Sequence, residues 1–156
     1  MIVADNANIL IIPDGFKPPV VKRENQGVAA FHAYDWYFHL IEQFLADVKK
    51  VFLTPCAATK PIHASPFHRR IYQKFASVQE NEREILVVSE PVVLILYRDL
   101  YELEQHFCYD FPPKMLAQES RALFVERLQL LLLGKNITGC LPRHHAAIIN
   151  DAVGKN

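Results

Sequence analysis

Cysteine is scarce and scattered in this chain: Cys56, Cys108 and Cys140 are the only three in 156 residues. An odd number at such separations builds neither a disulfide framework nor a CxxC metal motif, so no metal site is expected. A reducing cytoplasm is the simpler setting. Net charge is missing as well, with Lys and Arg at 17 against Asp and Glu at 17 and a pI near 7.1. That balance excludes a protein that holds nucleic acid through a general basic excess, so any RNA contact calls for a local patch or a second chain. No apolar run approaches the roughly 20 residues of a membrane span. The N-terminus has no charged region followed by an apolar signal core, and a cytoplasmic location is expected.

What is present is ordinary globular composition, 51% hydrophobic and 22% charged, in a length that suits one domain with a substantial core. Residues 1–30 read as an extended arm, with a short apolar run at Ile9 to Ile12 and turns forced by Pro13, Gly15, Pro18 and Pro19. Residues 31–156 read as a single α/β domain. No internal repeat or low-complexity tract divides it.

Within that domain, Tyr34, Phe38, Ile41, Leu45 and Val48 recur at helical spacing and predict an amphipathic helix from Phe31 to Lys49. Trp36, His32 and His39 on or beside it are read as packing and surface residues. Val51 to Leu53 predicts a strand that breaks at Thr54-Pro55, and a helix restarts with Ser65 as N-cap and Pro66 in the first helical position. Arg69, Arg70 and Lys74 are read as its solvated face. Glu84 to Ser89 predicts a buried strand, with Val92 to Leu96 extending or following it after Pro91.

A brief helix over Leu100 to Gln105 and a strand over His106 to Tyr109 come next. A long apolar helix then runs from Gln118 to Leu133 and stops at Gly134. Ile137 to Leu141 predicts the last strand and His144 to Asp151 the last helix. Strands alternating with helices predict an α/β fold with a mostly parallel sheet covered on both faces. His144 and His145 are set aside as a functional pair, because adjacent helix positions diverge.

The reactive side chains gather where such a sheet binds ligands, beyond the carboxyl ends of its strands and beside a helix N-terminus. Cys56 is read either as a nucleophile or as a small buried hydrophobe. Lys60 follows it in the same loop, and Ser65 doubles as the helix cap. His68 lies in the first turn of that helix, with a side chain suited to acid, base or donor work. Glu90 sits at another strand end, while Tyr109 and Asp110 precede two prolines.

Pro55-Cys56, Lys60-Pro61, Ser65 and His68, followed by Ser89-Glu90-Pro91 and Tyr109-Asp110-Phe111-Pro112, resemble the PCxxxKPYxxSxxH, SEP and YDxP segments of the archaeosine synthase family. Ile62 stands where that pattern has tyrosine, and the resemblance extends from about Val51 to Asp151. It implies a uracil-DNA-glycosylase-like fold, a three-layer α/β/α arrangement, and a tRNA-modifying transferase that adds free lysine to the nitrile of 7-cyano-7-deazaguanine in tRNA. Cys56, Lys60 and Asp110 would then be catalytic, with Ser65, His68, Glu90 and Tyr109 binding substrate. No cofactor is implied.

Glycosylase activity itself is disfavoured, since neither a GQDPY segment nor an HPSP-like loop occurs. Two alternatives stand beside the synthase. One is a non-catalytic nucleobase- or tRNA-binding subunit that needs a partner chain. The other is an enzyme acting on a free base or nucleotide.

Overall fold

The computed structural model describes residues 2–3, 10–11, 27–56, 66–75, 83–103 and 117–154. The elements in chain order are β1 (Ile2–Val3), β2 (Leu10–Ile11), α1 (Val28–His32), α2 (Asp35–Leu45), β3 (Lys50–Pro55), α3 (Pro66–Phe75), β4 (Glu84–Ser89), β5 (Val93–Leu96), α4 (Asp99–Glu102), α5 (Gln118–Leu132), β6 (Asn136–Gly139) and α6 (Arg143–Val153). β1 and β2 form a small antiparallel pair. The main sheet has the order β5-β4-β3-β6.

β3 sits between β4 and β6 and runs parallel to both, with Leu53 opposite Leu86 on one side and Gly139 on the other. The chain leaves β3 towards β4 and β5, then returns to place β6 on the opposite side of β3. Strand order therefore reverses at β3, which marks its carboxyl end as the crevice position of an open α/β sheet.

β5 departs from the expected parallel arrangement, for it runs antiparallel to β4 with Ser89 opposite Val93. The cause is connection length. Only Glu90, Pro91 and Val92 separate the paired residues, whereas a parallel return needs a crossover of about a dozen residues or more. The sheet is mixed but mostly parallel. Val93 leaves the hairpin with φ of 88°, a left-handed value that strains a β-branched residue.

The helix expected from Phe31 to Lys49 is two helices. α1 ends at His32, and Tyr34 adopts φ −106° and ψ 17° before α2 begins. The break frees the Phe31 carbonyl from an intrahelical partner, and it accepts instead from the Tyr34 backbone N–H and from Arg127 Nη1 at 3.2 Å. Arg127 also pairs with Asp35 and lies 4.8 Å over the Phe38 ring. A single side chain from α5 thus holds the corner between α1 and α2.

The core is built by Phe31, Tyr37, Leu40 and Ile41 of the first two helices, the apolar run of β4 and β5, and Phe124, Leu128, Leu131 and Leu132 of α5. Burying one such side chain contributes on the order of 1.5–3 kcal/mol, which is why the stripe of Phe124, Leu128, Leu131 and Leu132 draws α5 into the core. Its stripe is one-sided, leaving Leu130 and Leu133 exposed. The helix stops where Gly134 takes φ of 78°, a conformation that glycine adopts without a Cβ penalty. His32 and His39 are exposed beside Asp35 and Glu42, and Arg69 and Arg70 face solvent. No helix among the described residues is long and apolar enough to cross a membrane.

Candidate functional site

Proline cannot donate to a strand ladder, so β3 ends at Pro55 and hands the chain to Cys56 at the carboxyl edge of the sheet. β4 ends beside it, with Pro55 opposite Val88 in the register, and delivers Ser89 and Glu90 to the same edge. α3 starts at Pro66, as a proline in the first helical position predicts. α6 starts behind Pro142, which puts His145 in its first turn. Two strand ends and two helix beginnings therefore converge.

Cys56 is half-buried against the core, and the Ser89 hydroxyl donates to its Sγ at 3.2 Å. Both of its sequence readings are served by this place, since the thiol touches apolar neighbours and also has a polar donor. The hydroxyl donor holds the sulfur at the sheet edge, where an electrophile brought against it could be attacked.

His68 is fully buried. Its Nε2 donates to the Pro55 carbonyl at 2.7 Å, because a carbonyl oxygen only accepts. The ring stacks on Tyr97 at 6.0 Å, and the Tyr97 hydroxyl donates to the His68 carbonyl at 2.7 Å. This clamp fastens the first turn of α3 to the end of β3 and fixes the imidazole tautomer. The histidine of the first turn is thereby a member of the site's wall.

Glu90 is buried, with 2% of its surface exposed, and its Oε1 lies 2.8 Å from Nε2 of His145, which is equally buried. An unpaired carboxylate at such depth would be strongly disfavoured, and the imidazole donor offsets that. The His144 ring lies 4.4 Å from that of His145, tilted by 49°. The divergence expected of adjacent helix positions does not keep these rings apart. Sequence reading places Glu90 at the edge but misses His145, whose partner is 55 residues away in the chain. The legible signal was a histidine in the first turn of a helix behind a proline, the position that His68 also holds, but His68 had a motif match to raise it and His145 had none.

Lys60, Ser65, Tyr109 and Asp110 lie outside the described residues. Of the sequence-derived set, the structure brings together Cys56, His68 and Glu90, and adds Ser89, Tyr97 and His145. Among the described residues no group of three or more His, Cys, Asp or Glu side chains is placed to hold a metal ion. The arrangement offers a thiol with a hydroxyl donor and a buried carboxylate–imidazole pair at one sheet edge, a set suited to nucleophilic addition with proton transfer. No protein-family model, curated protein or solved structure matches the chain.

Proposed function

We propose that this chain is a tRNA-modifying domain of the archaeosine synthase kind, with a uracil-DNA-glycosylase-like fold, that adds free lysine to the nitrile of 7-cyano-7-deazaguanine in tRNA. One observation carries the reading. Two segments singled out by separate motifs meet in space where Ser89 is bonded to Cys56, and the first is closed on itself by the bond from His68 to Pro55.

The chemistry is an addition without a leaving group. The amine nitrogen bonds to the nitrile carbon, one π pair passes to the nitrile nitrogen, and one proton moves from the amine to that nitrogen, giving an amidine. Holding the linear nitrile against the amine supplies the larger part of the rate, and a positioned acid–base group contributes about 10²–10⁴-fold more. Cys56 provides a covalent route, in which its thiol adds to the nitrile to form a thioimidate that the amine then displaces. Lys60 is assigned to the carboxylate of the incoming lysine and Asp110 to the guanine-like edge of the base, and Ser65 and Tyr109 also bind substrate. tRNA is held by a local patch or by a separate RNA-binding chain, in keeping with the neutral balance of charges.

A second reading, a nucleobase-binding subunit without catalysis, is favoured by the burial of His68 and Glu90, both of which already bond to protein groups. One experiment separates the two. The purified chain is incubated with tRNA containing 7-cyano-7-deazaguanine and with free lysine, and the digested nucleosides are weighed by mass spectrometry. A gain of one lysine supports the synthase, and its loss in Lys60→Ala or Asp110→Ala with the fold intact supports their assignment. Salt-sensitive tRNA binding without a mass gain supports the subunit. Neither binding nor gain removes both.

A further inference from the structure

We infer that Glu90 and His145 form one proton-sharing dyad of the site, in which His145 is the positioning residue that fixes the Glu90 carboxylate and holds its proton. This rests on the proposed lysine addition and names the group that moves its proton. Three observations carry it. The two side chains approach to 2.8 Å while exposing no more than 2% of their surfaces, so the bond is shielded from competing water. They come from different elements, the β4–β5 turn and the first turn of α6, and meet at the sheet edge that also carries Cys56 and Ser89. Finally, His145 Nδ1 is buried and has no hydrogen-bond partner among the described residues, and within them Glu90 is the group to which the imidazole is bonded.

Stability does not account for the pair. A well-packed apolar pair of similar volume serves a buried position as well or better, so burying a carboxylate and an imidazole together contributes little that Leu and Met would not. What an apolar pair cannot do is accept and return a proton. In the addition, the attacking amine must lose one proton and the nitrile nitrogen must gain one. Glu90 takes the first while the imidazole keeps the carboxylate oriented, and the dyad returns a proton to the imide nitrogen, so that its own protonation is unchanged after each turnover. Among the described residues the neighbouring titratable groups are His144, in ring contact with His145, and Cys56, bonded to the Ser89 that precedes Glu90.

Two measurements on the full chain test this. The first is the imidazole N–H resonance of His145 by ¹⁵N-edited NMR. A slowly exchanging signal downfield of the backbone amides, moved by Glu90→Gln, is expected, and its absence in the wild type overturns the dyad. The second is the rate of lysine addition for wild type, His145→Gln, Glu90→Gln and the double variant. Glutamine still donates to Glu90 but carries no proton to or from it. His145→Gln is therefore expected to keep its melting temperature and its tRNA Kd within about twofold while kcat falls about 100-fold or more. The double variant should lose no more than either single one, as residues acting as a unit do.

Wild-type kcat in His145→Gln, or losses that multiply in the double variant, overturns the assignment while leaving the lysine-adding function standing. If the wild type adds no lysine, the functional reading falls by itself. The dyad is then judged on the resonance, supported by its presence and its shift in Glu90→Gln and overturned otherwise.

Discussion

The Tyr37 hydroxyl donates to Asp99 Oδ2 at 2.6 Å and accepts from the Leu96 backbone N–H at 3.0 Å, joining α2 to the end of β5 through a buried chain of hydrogen bonds. Burial pushes the Asp99 carboxyl up to about 6, against the opposing pull of the Tyr37 hydrogen bond and the nearby Arg98 charge, while Glu102 adds a smaller upward push. The same burial, with the Asp99 charge beside it, raises the Tyr37 hydroxyl well above its ordinary value.

A pH dependence of stability follows from Asp99. Its folded value lies above the unfolded 3.8, so the folded state binds the proton more tightly. The contribution is complete below about pH 4 and is lost as pH rises through about 6, with a size on the order of 3 kcal/mol. Measured from pH 4 to pH 8, the urea midpoint of wild type should fall relative to that of Asp99→Asn as pH rises through about 6, and the two should run parallel above it. Curves parallel throughout would show that Asp99 titrates alike in both states.

Gly139 carries a steric prediction. A Cβ placed on it would stand 2.5 Å from the Leu53 carbonyl oxygen and 3.0 Å from the Leu53 Cβ, and a backbone neighbour cannot swing aside. Gly139→Ala should therefore push β6 from β3 and cost about 1–3 kcal/mol. Hydrogen exchange at the Cys140 N–H, which donates to Leu53 O at 2.9 Å, should accelerate. Unchanged protection there would mean that the strands absorb the methyl without separating.

Much of the scaffold was legible because local signals agreed with the final packing. The β4 run from Glu84 to Ser89, the Pro66 start of α3 and the Gly134 stop of α5 each follow from one residue's backbone limits or from a continuous apolar stretch. The break at Tyr34 was not legible, because the periodicity of Tyr34, Phe38, Ile41 and Leu45 continues through it. The corner is held by Arg127, 96 residues from Phe31. The same holds at the site. Cys56 and Glu90 were recognisable by strand-end position together with their motifs and His68 by its motif, whereas the Glu90–His145 contact is set by how α6 docks, which no window of sequence reports.

That corner gives the next prediction. Arg127 is almost wholly buried, and it donates to the Phe31 carbonyl and to Asp35 while covering the Phe38 ring. Arg127→Met keeps the stem's packing but removes one of the two donors to the Phe31 carbonyl and the cationic partner of Asp35, costing about 1–3 kcal/mol by thermal or urea unfolding. Asp35 reports it separately. Burial pushes its carboxyl up, but the Arg127 hydrogen bond and charge, with help from His32, outweigh that and hold it below its ordinary 3.8. Stability from this carboxylate is present above about pH 4 and lost as pH falls below it. Arg127→Met should flatten that acid limb, and an unaltered limb would place its origin elsewhere.

Cys56 is tested by what it leaves on the protein. If its thiol adds to the nitrile, the chain incubated with 7-cyano-7-deazaguanine and no lysine should gain the whole mass of the base, since a thioimidate forms without a leaving group. Cys140, exposed beyond β6, is the control, and Cys140→Ser should keep the adduct while Cys56→Ala loses it. The Ser89 hydroxyl donates to Cys56 Sγ, and a hydrogen bond of ordinary strength stabilises an attacking thiolate enough that Ser89→Ala should slow adduct formation roughly three- to tenfold. Lysine added afterwards should release the free thiol and the amidine together. An adduct that survives in Cys56→Ala would place the nucleophile elsewhere. Lysine addition at the wild-type rate in Cys56→Ala would make the direct attack of the amine sufficient and return Cys56 to the core as a packing residue.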